Sequence, residues 1–526
     1  MATHNTWFVP RCKRNLTALV DVLVAFSDVV EGNVWPGNTE LQLRFEDEIA
    51  RRGLRNTGNL RARNTNTGGG GIRTYFAQLK ALGLVFLEEG TNKARLTISG
   101  EELLRGVQSF VDIMRYQLVR FQYPSNSFIK GSSKVSERFH IHPFWFLLKL
   151  LTVDELGHYL SSDELMKIVI LQAENDSDEC FRFIVSRILA YRNQGDSMLG
   201  YTLEEMGCKI TRNASGSQRS NSFYDIVNTF TNYLSSTLYV TYTEGRLSIV
   251  PTKMEEVKTL IQTPIPFIGN IENHESFQRR YGCDRFHTRD RRVFDDTERN
   301  TPRVLNENRM RREFVSLAME QPIRHITPEI ITIIAMRTAI NEPDVERFLH
   351  FAFPRGGLEG FWARYREMAF AGRDEATEFE RATATLFREL FGFNAEHVGP
   401  QGNTPDVYIE SAESEYCAII DNKAYRAYSI TGDHFRRMKD VYIPRYQHQR
   451  YPLAFFTYIA GGFCRTINNQ ISNLADETGI SGCAIDVDTL IEFAERYEIN
   501  RYNHETIRRL LSVNRSVSLQ DLNEAH

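Results

Sequence analysis

The sequence predicts a multidomain α+β chain in which helix-and-hairpin domains precede an α/β domain. Three observations predict it. At 526 residues the chain exceeds what one hydrophobic core organises, so three or four domains are expected. A helix, hairpin, helix order occurs twice in the first half. After Thr377 a further helix gives way to two strands that collect Asp406, Asp421 and Lys423.

Composition narrows the function. With 42% hydrophobic and 25% charged residues the chain has a globular balance and no large low-complexity tract. No run of about 18 apolar residues occurs, and Met1 to Asn15 lacks the basic-then-apolar order of a secretory signal, so membrane and export classes fall away and a cytoplasmic location is expected. The seven cysteines stand singly, without CxxC pairs or nearby histidines at zinc-finger spacing, and read as reduced thiols. A net charge of -4 is mildly unfavourable to nucleic-acid binding. The average hides an arginine-rich run from Arg279 through Arg292, Arg299 and Arg303 to Arg312, interleaved with Asp284, Asp290, Asp295 and Asp296. Such a run either neutralises phosphates or forms a solvated helix with internal ion pairs.

The first helix-and-hairpin copy places Ile72, Tyr75, Phe76, Leu79 and Leu82 at helical spacing, stops at Gly83, and continues as strands over Leu84–Leu87 and Ala94–Ile98. Ser99 and Glu102 form a capping-box pattern that opens the next helix. In the second copy Ile226, Phe230, Tyr233 and Leu234 mark the helix, Leu238–Thr241 and Arg246–Val250 the strands, Glu244-Gly245 the turn, and Thr252–Ile261 the closing helix. The order resembles the winged-helix module, which lays a helix in the major groove and its wing along the backbone. The same unit also serves protein contacts, so the pattern leaves both roles open. The segment Arg61 to Arg73, with Gly68 to Gly71, is a basic loop ahead of the first helix. Phe139–Leu151 and Leu165–Leu171 read as apolar core helices, and Leu203–Asn221 as a polar loop. His140 and His142 beside an apolar helix read as packed residues, since no third ligand is near. Helical periodicity returns with Ile330, Ile334, Ile340 and Val345, and Phe353 to Gly357 interrupt it.

The chemistry concentrates further on. Phe379, Ala382, Leu386, Phe387 and Leu390 give a helix that ends at Gly392. A polar loop, Asn394 to Thr404, leads to strands Asp406–Glu410 and Tyr416–Lys423 around the turn Ser411 to Glu415. Strand side chains alternate faces, so Asp421 and Lys423 share one side, and Asp406 at the mouth of the neighbouring strand can converge on them. Phosphodiester hydrolysis needs oxygen ligands for a magnesium ion and a positioned cation for the attacking water or the developing charge. Two carboxylates and a lysine answer that need, and Glu380 from the helix can face the same point.

Pro405-Asp406 followed by Asp421-Asn422-Lys423 resembles the PD-(D/E)xK nuclease signature. The run Leu390 to Gly399, then Pro405-Asp406 and Ile419 to Tyr425, resembles the cleavage domain of FokI-type restriction endonucleases over about residues 378–491. That resemblance implies Asp406 and Asp421 as metal ligands, Lys423 acting on the attacking water, Glu380 nearby, and Mg2+ as cofactor. The family usually places threonine or an apolar residue where Asn422 stands, which implies a less buried strand end here. Gln117 to Ser125 and Ile141 to Leu148 resemble the recognition half of AlwI-like endonucleases and related nicking enzymes, which read a short asymmetric site.

The combined expectation is a type IIS restriction endonuclease: winged-helix-like recognition domains at 1–125 and 126–270, a basic helical connector at 271–360, and a PD-(D/E)xK endonuclease domain at 361–526. It would cut double-stranded DNA outside the recognised bases. The resemblance implies a transient homodimer through the nuclease domain, a prokaryotic cytoplasmic setting and a cognate DNA methyltransferase. A strand-specific nicking enzyme, a structure-directed repair nuclease and a non-cleaving winged-helix regulator are the alternatives. Discrete cleavage products from plasmid DNA distinguish site recognition from shape recognition.

Overall fold

A computed structural model describes residues 2–12, 15–54, 71–105, 108–125, 133–212, 218–243, 245–269, 273–294, 302–354, 356–399, 404–500 and 502–524. The basic loop expected at 61–73 lies outside these residues except for Gly71, Ile72 and Arg73. Glu244, Asp295, Asp296 and Arg299 also lie outside them. The chain divides into two units, Met1–Ser316 with Ile326–Pro354, and Leu317–His325 with Arg355–His526.

In the first unit α1 (Ala18–Val29) buries Leu19, Val20, Leu23 and Phe26, and α2 (Thr39–Arg51) is capped by Asn38, whose side chain accepts from the Leu41 amide at 3.1 Å. Helix α3 (Ile72–Ala81) turns Ile72, Tyr75, Phe76 and Leu79 inward, the one-sided spacing that drives an amphipathic helix onto a core. Gly83 follows at φ +72°, where a Cβ would meet Gln117 Oε1 at 2.8 Å and the Tyr281 ring at 2.9 Å, so only glycine fits the stop. Strands β1 (Val85–Leu87) and β2 (Ala94–Leu96) pair antiparallel, and α4 (Ile98–Arg105) closes the first copy. The cap of α4 differs from expectation. Thr97, not Ser99, accepts from the Gly100 amide at 3.0 Å, because Ser99 is drawn into the core where its hydroxyl accepts from Gln117.

Beyond α5 (Phe110–Val119), α6 starts only at Pro143 and ends at Leu151, since proline fixes the first helical φ and lacks the amide a preceding turn would need. Phe139–Ile141 is extended instead, with Ile141 and Tyr123 exchanging backbone bonds of 2.7 and 3.0 Å. The polar stretch expected as loop at 203–221 contains an antiparallel pair, β4 (Ile210–Arg212) and β5 (Gln218–Asn221), whose polar alternation gave no apolar signal. In the second copy α7 (Ser222–Ser235) leads to β6 (Val240–Thr243) and β7 (Arg246–Ile249), joined by β3 (Tyr159–Ser161) into a three-stranded sheet, and α8 (Met254–Gln262) closes it. Buried Gln78 of α3 donates to the Tyr233 hydroxyl of α7, so the two copies meet helix to helix.

Arginines of the basic run are partly consumed inside this unit. Arg279 in α9 (His274–Tyr281) pairs with Glu275, and Arg292 bonds Asp290 at 2.7 Å, while Arg312 in α10 (Pro302–Glu320) pairs with Asp28. His142 is also engaged internally, its Nδ1 2.6 Å from Asp176, and His140 stacks on Phe267. No described helix is long and apolar enough to cross a membrane.

The second unit is built on a mixed sheet of six strands in the order β8 (Asn394–His397), β9 (Val407–Ser411), β10 (Tyr416–Lys423), β11 (Leu453–Ala460), β12 (Ser481–Asp486) and β13 (Arg515–Ser516). The first three are antiparallel and the rest join in parallel. Strand β8 corrects the loop expected from Asn394 to Thr404: Ala395 points inward while Asn394 is exposed, and pairing with β9 satisfies the backbone. One face is covered by α13 (Leu358–Ala369), α14 (Ala376–Glu389) and α16 (Val487–Ile499), with Arg366 bonded to Asp488 at 2.6 Å. The other face packs Ile419, Phe456, Tyr458 and Ala484 against Met438, Tyr442, Ile443 and, from α15 (Ile467–Thr478), Ile471 and Leu474. Each fully buried side chain of this kind contributes about 1.5–3 kcal/mol. The sheet is therefore a rigid platform for whatever its strand ends display.

Candidate active site

Strand β10 is apolar for most of its length and polar only at its end, so burial anchors Tyr416 to Ile420 and holds Asp421, Asn422 and Lys423 at the sheet margin. Antiparallel register pairs Val407 with Ile420, which sets Asp406 beside Asp421 across the two strands. Alternation turns Asp421 and Lys423 to one face. Lys423 Nζ lies 2.7 Å from Asp421 Oδ2 and 3.8 Å from Asp406 Oδ2. The Asn422 amide donates to Asp406 Oδ2 at 2.6 Å, fixing that carboxyl from the backbone. The expected trio thus converges.

Charge balance at this point is uneven. Burial and then the charge of Asp421 push the Asp406 carboxyl well above its ordinary range; Lys423 opposes the rise and Glu380 adds to it. Burial pulls the Lys423 pKa down, yet Asp421 and Asp406 outweigh it and hold the ammonium above its usual value. Glu380, from the first half of α14, does not join as a third close carboxylate. Its Oε2 is 3.0 Å from His397 Nε2 on β8, and it acts on Asp406 through its field.

Among the described residues no group of three or more His, Cys, Asp or Glu could hold a metal. The two aspartates are the oxygen donors that meet here. They fit a hard divalent cation: the oxygens are hard, the two carboxyls share a desolvated site with one ammonium, and a cation would supply further positive charge. The Tyr458 hydroxyl, on the residue paired in register with Asp421, is buried and has no hydrogen-bond partner among the described residues.

Asn422 corrects one expectation. It is buried, 6% exposed, because α14 covers its face of β10 and offers Thr383, whose hydroxyl accepts from Asn422 Nδ2 at 2.6 Å. Sequence reasoning also missed the rim of the site. Tyr428 and Tyr442 feel the charges of Asp421 and Asp406, and His434, bonded to the Tyr428 hydroxyl at 2.7 Å, is held below its usual pKa by burial and then by Lys423. These residues arrive from the connection between β10 and β11, and no local spacing announces them. Thr383 and His397 left a faint signal: one lies a helical turn from Glu380, the other just ahead of Asp406.

Residues 339–518 match the family model of the FokI cleavage domain. The chain carries a FokI-type cleavage domain. The type II restriction enzyme StsI of Streptococcus sanguinis is 25% identical over 150 residues, 26% of this chain and 24% of StsI. The chain thus spans about a quarter of the length of that relative. The structure of restriction endonuclease FokI aligns over 99% of this chain and 100% of that one at 12% identity and a TM-score of 0.30. The BpuJ1 endonuclease binding domain, solved with modified DNA, aligns over 53% of this chain and 98% of that one at 11% identity and a TM-score of 0.37. Both structural likenesses lie below the level that establishes a shared fold; the sequence match to the FokI cleavage domain carries the assignment, and it contains Glu380, Asp406, Asp421 and Lys423.

Proposed function

We propose that the protein is a type IIS restriction endonuclease that recognises a short asymmetric double-stranded DNA sequence and, with Mg2+, hydrolyses phosphodiester bonds at a fixed distance outside it. The observation that carries this reading is the meeting of Asp406, Asp421 and Lys423 at one strand end inside the stretch that matches the FokI cleavage domain.

In this reading Asp406 and Asp421 hold the metal, and Lys423 and Glu380 complete the catalytic group. Bound magnesium supplies Lewis acidity to the phosphate and offsets charge in the transition state. The residues divide the remaining work. Lys423, kept charged by Asp421 and Asp406, has no free lone pair, so it orients the attacking water and stabilises developing negative charge; it does not take the proton. The Asn422 amide keeps Asp406 turned inward. Tyr428, Tyr442 and Tyr458 exclude water from one side, which strengthens every charge interaction in the group.

Recognition belongs to the winged-helix-like copies, about 1–125 and 126–270, linked by 271–360 to a nuclease domain at 361–526. Exposed Arg73 and Thr74 at the start of α3 suit a helix whose inner face is committed to the core. One active site cuts one strand, so a double-strand break calls for a transient homodimer on DNA, and the host chromosome calls for a cognate methyltransferase.

Purified protein incubated with plasmid DNA and magnesium, beside the Asp421→Ala chain, tests this. Ends at one offset from a shared short motif, absent with the variant, are expected. Ends scattered without a motif, or dependent on branched DNA, would replace site recognition with shape recognition.

A further inference from the structure

We infer that His397 is a positioning residue that holds Glu380 in the catalytic group, an inference that rests on the nuclease reading. His397 ends β8, and its Nε2 lies 3.0 Å from Glu380 Oε2 on α14; the two side chains are only 19% and 15% exposed. The electrostatic setting explains why such a bond is needed. The charges of Asp421 and Glu380 both bear on Asp406, and Lys423 opposes them. Like charges crowded together disfavour one another, and a hydrogen bond to a carboxylate offsets that repulsion.

The His397 imidazole holds Glu380 through the contact of its Nε2 with the carboxylate. The backbone makes the arrangement stiff. The amide of Val398, next in the chain, donates to the Asp406 carbonyl at 3.0 Å, so the strand that carries His397 is tied by its backbone to Asp406. Gly399 stands at φ +72°, and a Cβ there would come within 3.3 Å of His397 Cε1, so the chain folds back closely behind the ring. His397 is therefore joined to Glu380 on α14 by its side chain, and its strand to Asp406 at the mouth of β9 by the backbone. His397 touches no reacting atom; it acts through Glu380, where a small displacement carries a large rate cost.

The test uses the full chain on supercoiled plasmid DNA with Mg2+, comparing His397→Leu, His397→Gln, Glu380→Gln and the double variant His397→Leu/Glu380→Gln. Glutamine keeps an N–H near the Nε2 position. His397→Leu is expected to lower the cleavage rate constant 10- to 100-fold, with DNA affinity within threefold and a raised Mg2+ midpoint. His397→Gln is expected to recover all but about fivefold. In the Glu380→Gln background the further loss from His397→Leu is expected to be under threefold, at an unchanged thermal midpoint, which a general packing defect would not produce. Cleavage by His397→Leu at the unmodified rate, or equal losses in both backgrounds, overturns the inference. If Asp421→Ala cleaves like the unmodified chain, the nuclease reading fails; if Asp421→Ala is silent and His397→Leu is fully active, only the role of His397 fails.

Discussion

Asn422 Nδ2 donates to the Thr383 hydroxyl at 2.6 Å, and the same hydroxyl meets the Tyr365 hydroxyl at 2.7 Å. This buried relay joins the strand of Asp421 and Lys423 to the helix that carries Glu380. Thr383→Val keeps the shape and removes the hydroxyl, leaving two buried polar groups without their partner, so it should cost about 1–3 kcal/mol in stability. Thr383→Ser should cost under about 1 kcal/mol. Denaturant unfolding monitored by circular dichroism reads both, and equal midpoints for the two variants would show that the relay adds nothing.

Reader and cutter are proposed to be separate parts of the chain, and that separation has a direct consequence. Asp421→Ala should lower cleavage at least about a thousandfold, since it removes a proposed metal ligand and the partner of Lys423. Binding to the recognised DNA should change by less than a few-fold. Gel-shift and cleavage assays on one preparation decide it; binding lost together with cutting in a folded variant would contradict the modular arrangement.

How far the sequence revealed this site depends on the range of the interactions. Asp406, Asp421 and Lys423 were legible because strand alternation and a short hairpin bring them together locally. Strand β8 was not, because Asn394 and Glu396 carry the polarity of a loop and only the pairing with β9 makes them a strand. Asn422 looked like an exposed strand end, and its burial depends on Thr383, 39 residues earlier in the chain. The parallel strands β11 and β12, which set the depth of the site, join through crossovers whose partners no local pattern names.

Stability of the second unit should vary with pH through Asp486. Burial and then the charge of Asp488 push its carboxyl up to about 6, although the Thr489 amide and hydroxyl bond it at 2.9 and 3.0 Å. Between the unfolded value near 3.8 and about 6 the folded chain binds the extra proton, so stability falls as pH rises through that window and the loss is complete above it. Asp486→Asn keeps an acceptor for the Thr489 amide and removes the charge. The variant should match the unmodified chain below about pH 4 and exceed it by about 1–3 kcal/mol at pH 8. Parallel stability curves across that range would rule the assignment out.

The two aspartates also make a prediction that needs no DNA. In the metal-free chain Asp406 and Asp421 repel each other, so Asp406→Asn, which still accepts from the Asn422 amide, should be at least as stable as the unmodified protein. Magnesium reverses that order. A cation bound only by the folded state at a hundred times its dissociation constant adds about 2.7 kcal/mol. For a unit of this size that raises the thermal midpoint by about 5–10 °C. Asp406→Asn and Asp421→Ala should each lose most of the rise, whereas Lys423→Met, which removes the competing ammonium, should keep it. Scanning calorimetry with and without Mg2+ measures all four chains. A rise that survives in both aspartate variants would place the cation elsewhere, and a Lys423→Met chain that loses it would make the lysine part of the binding site instead of its electrostatic neighbour.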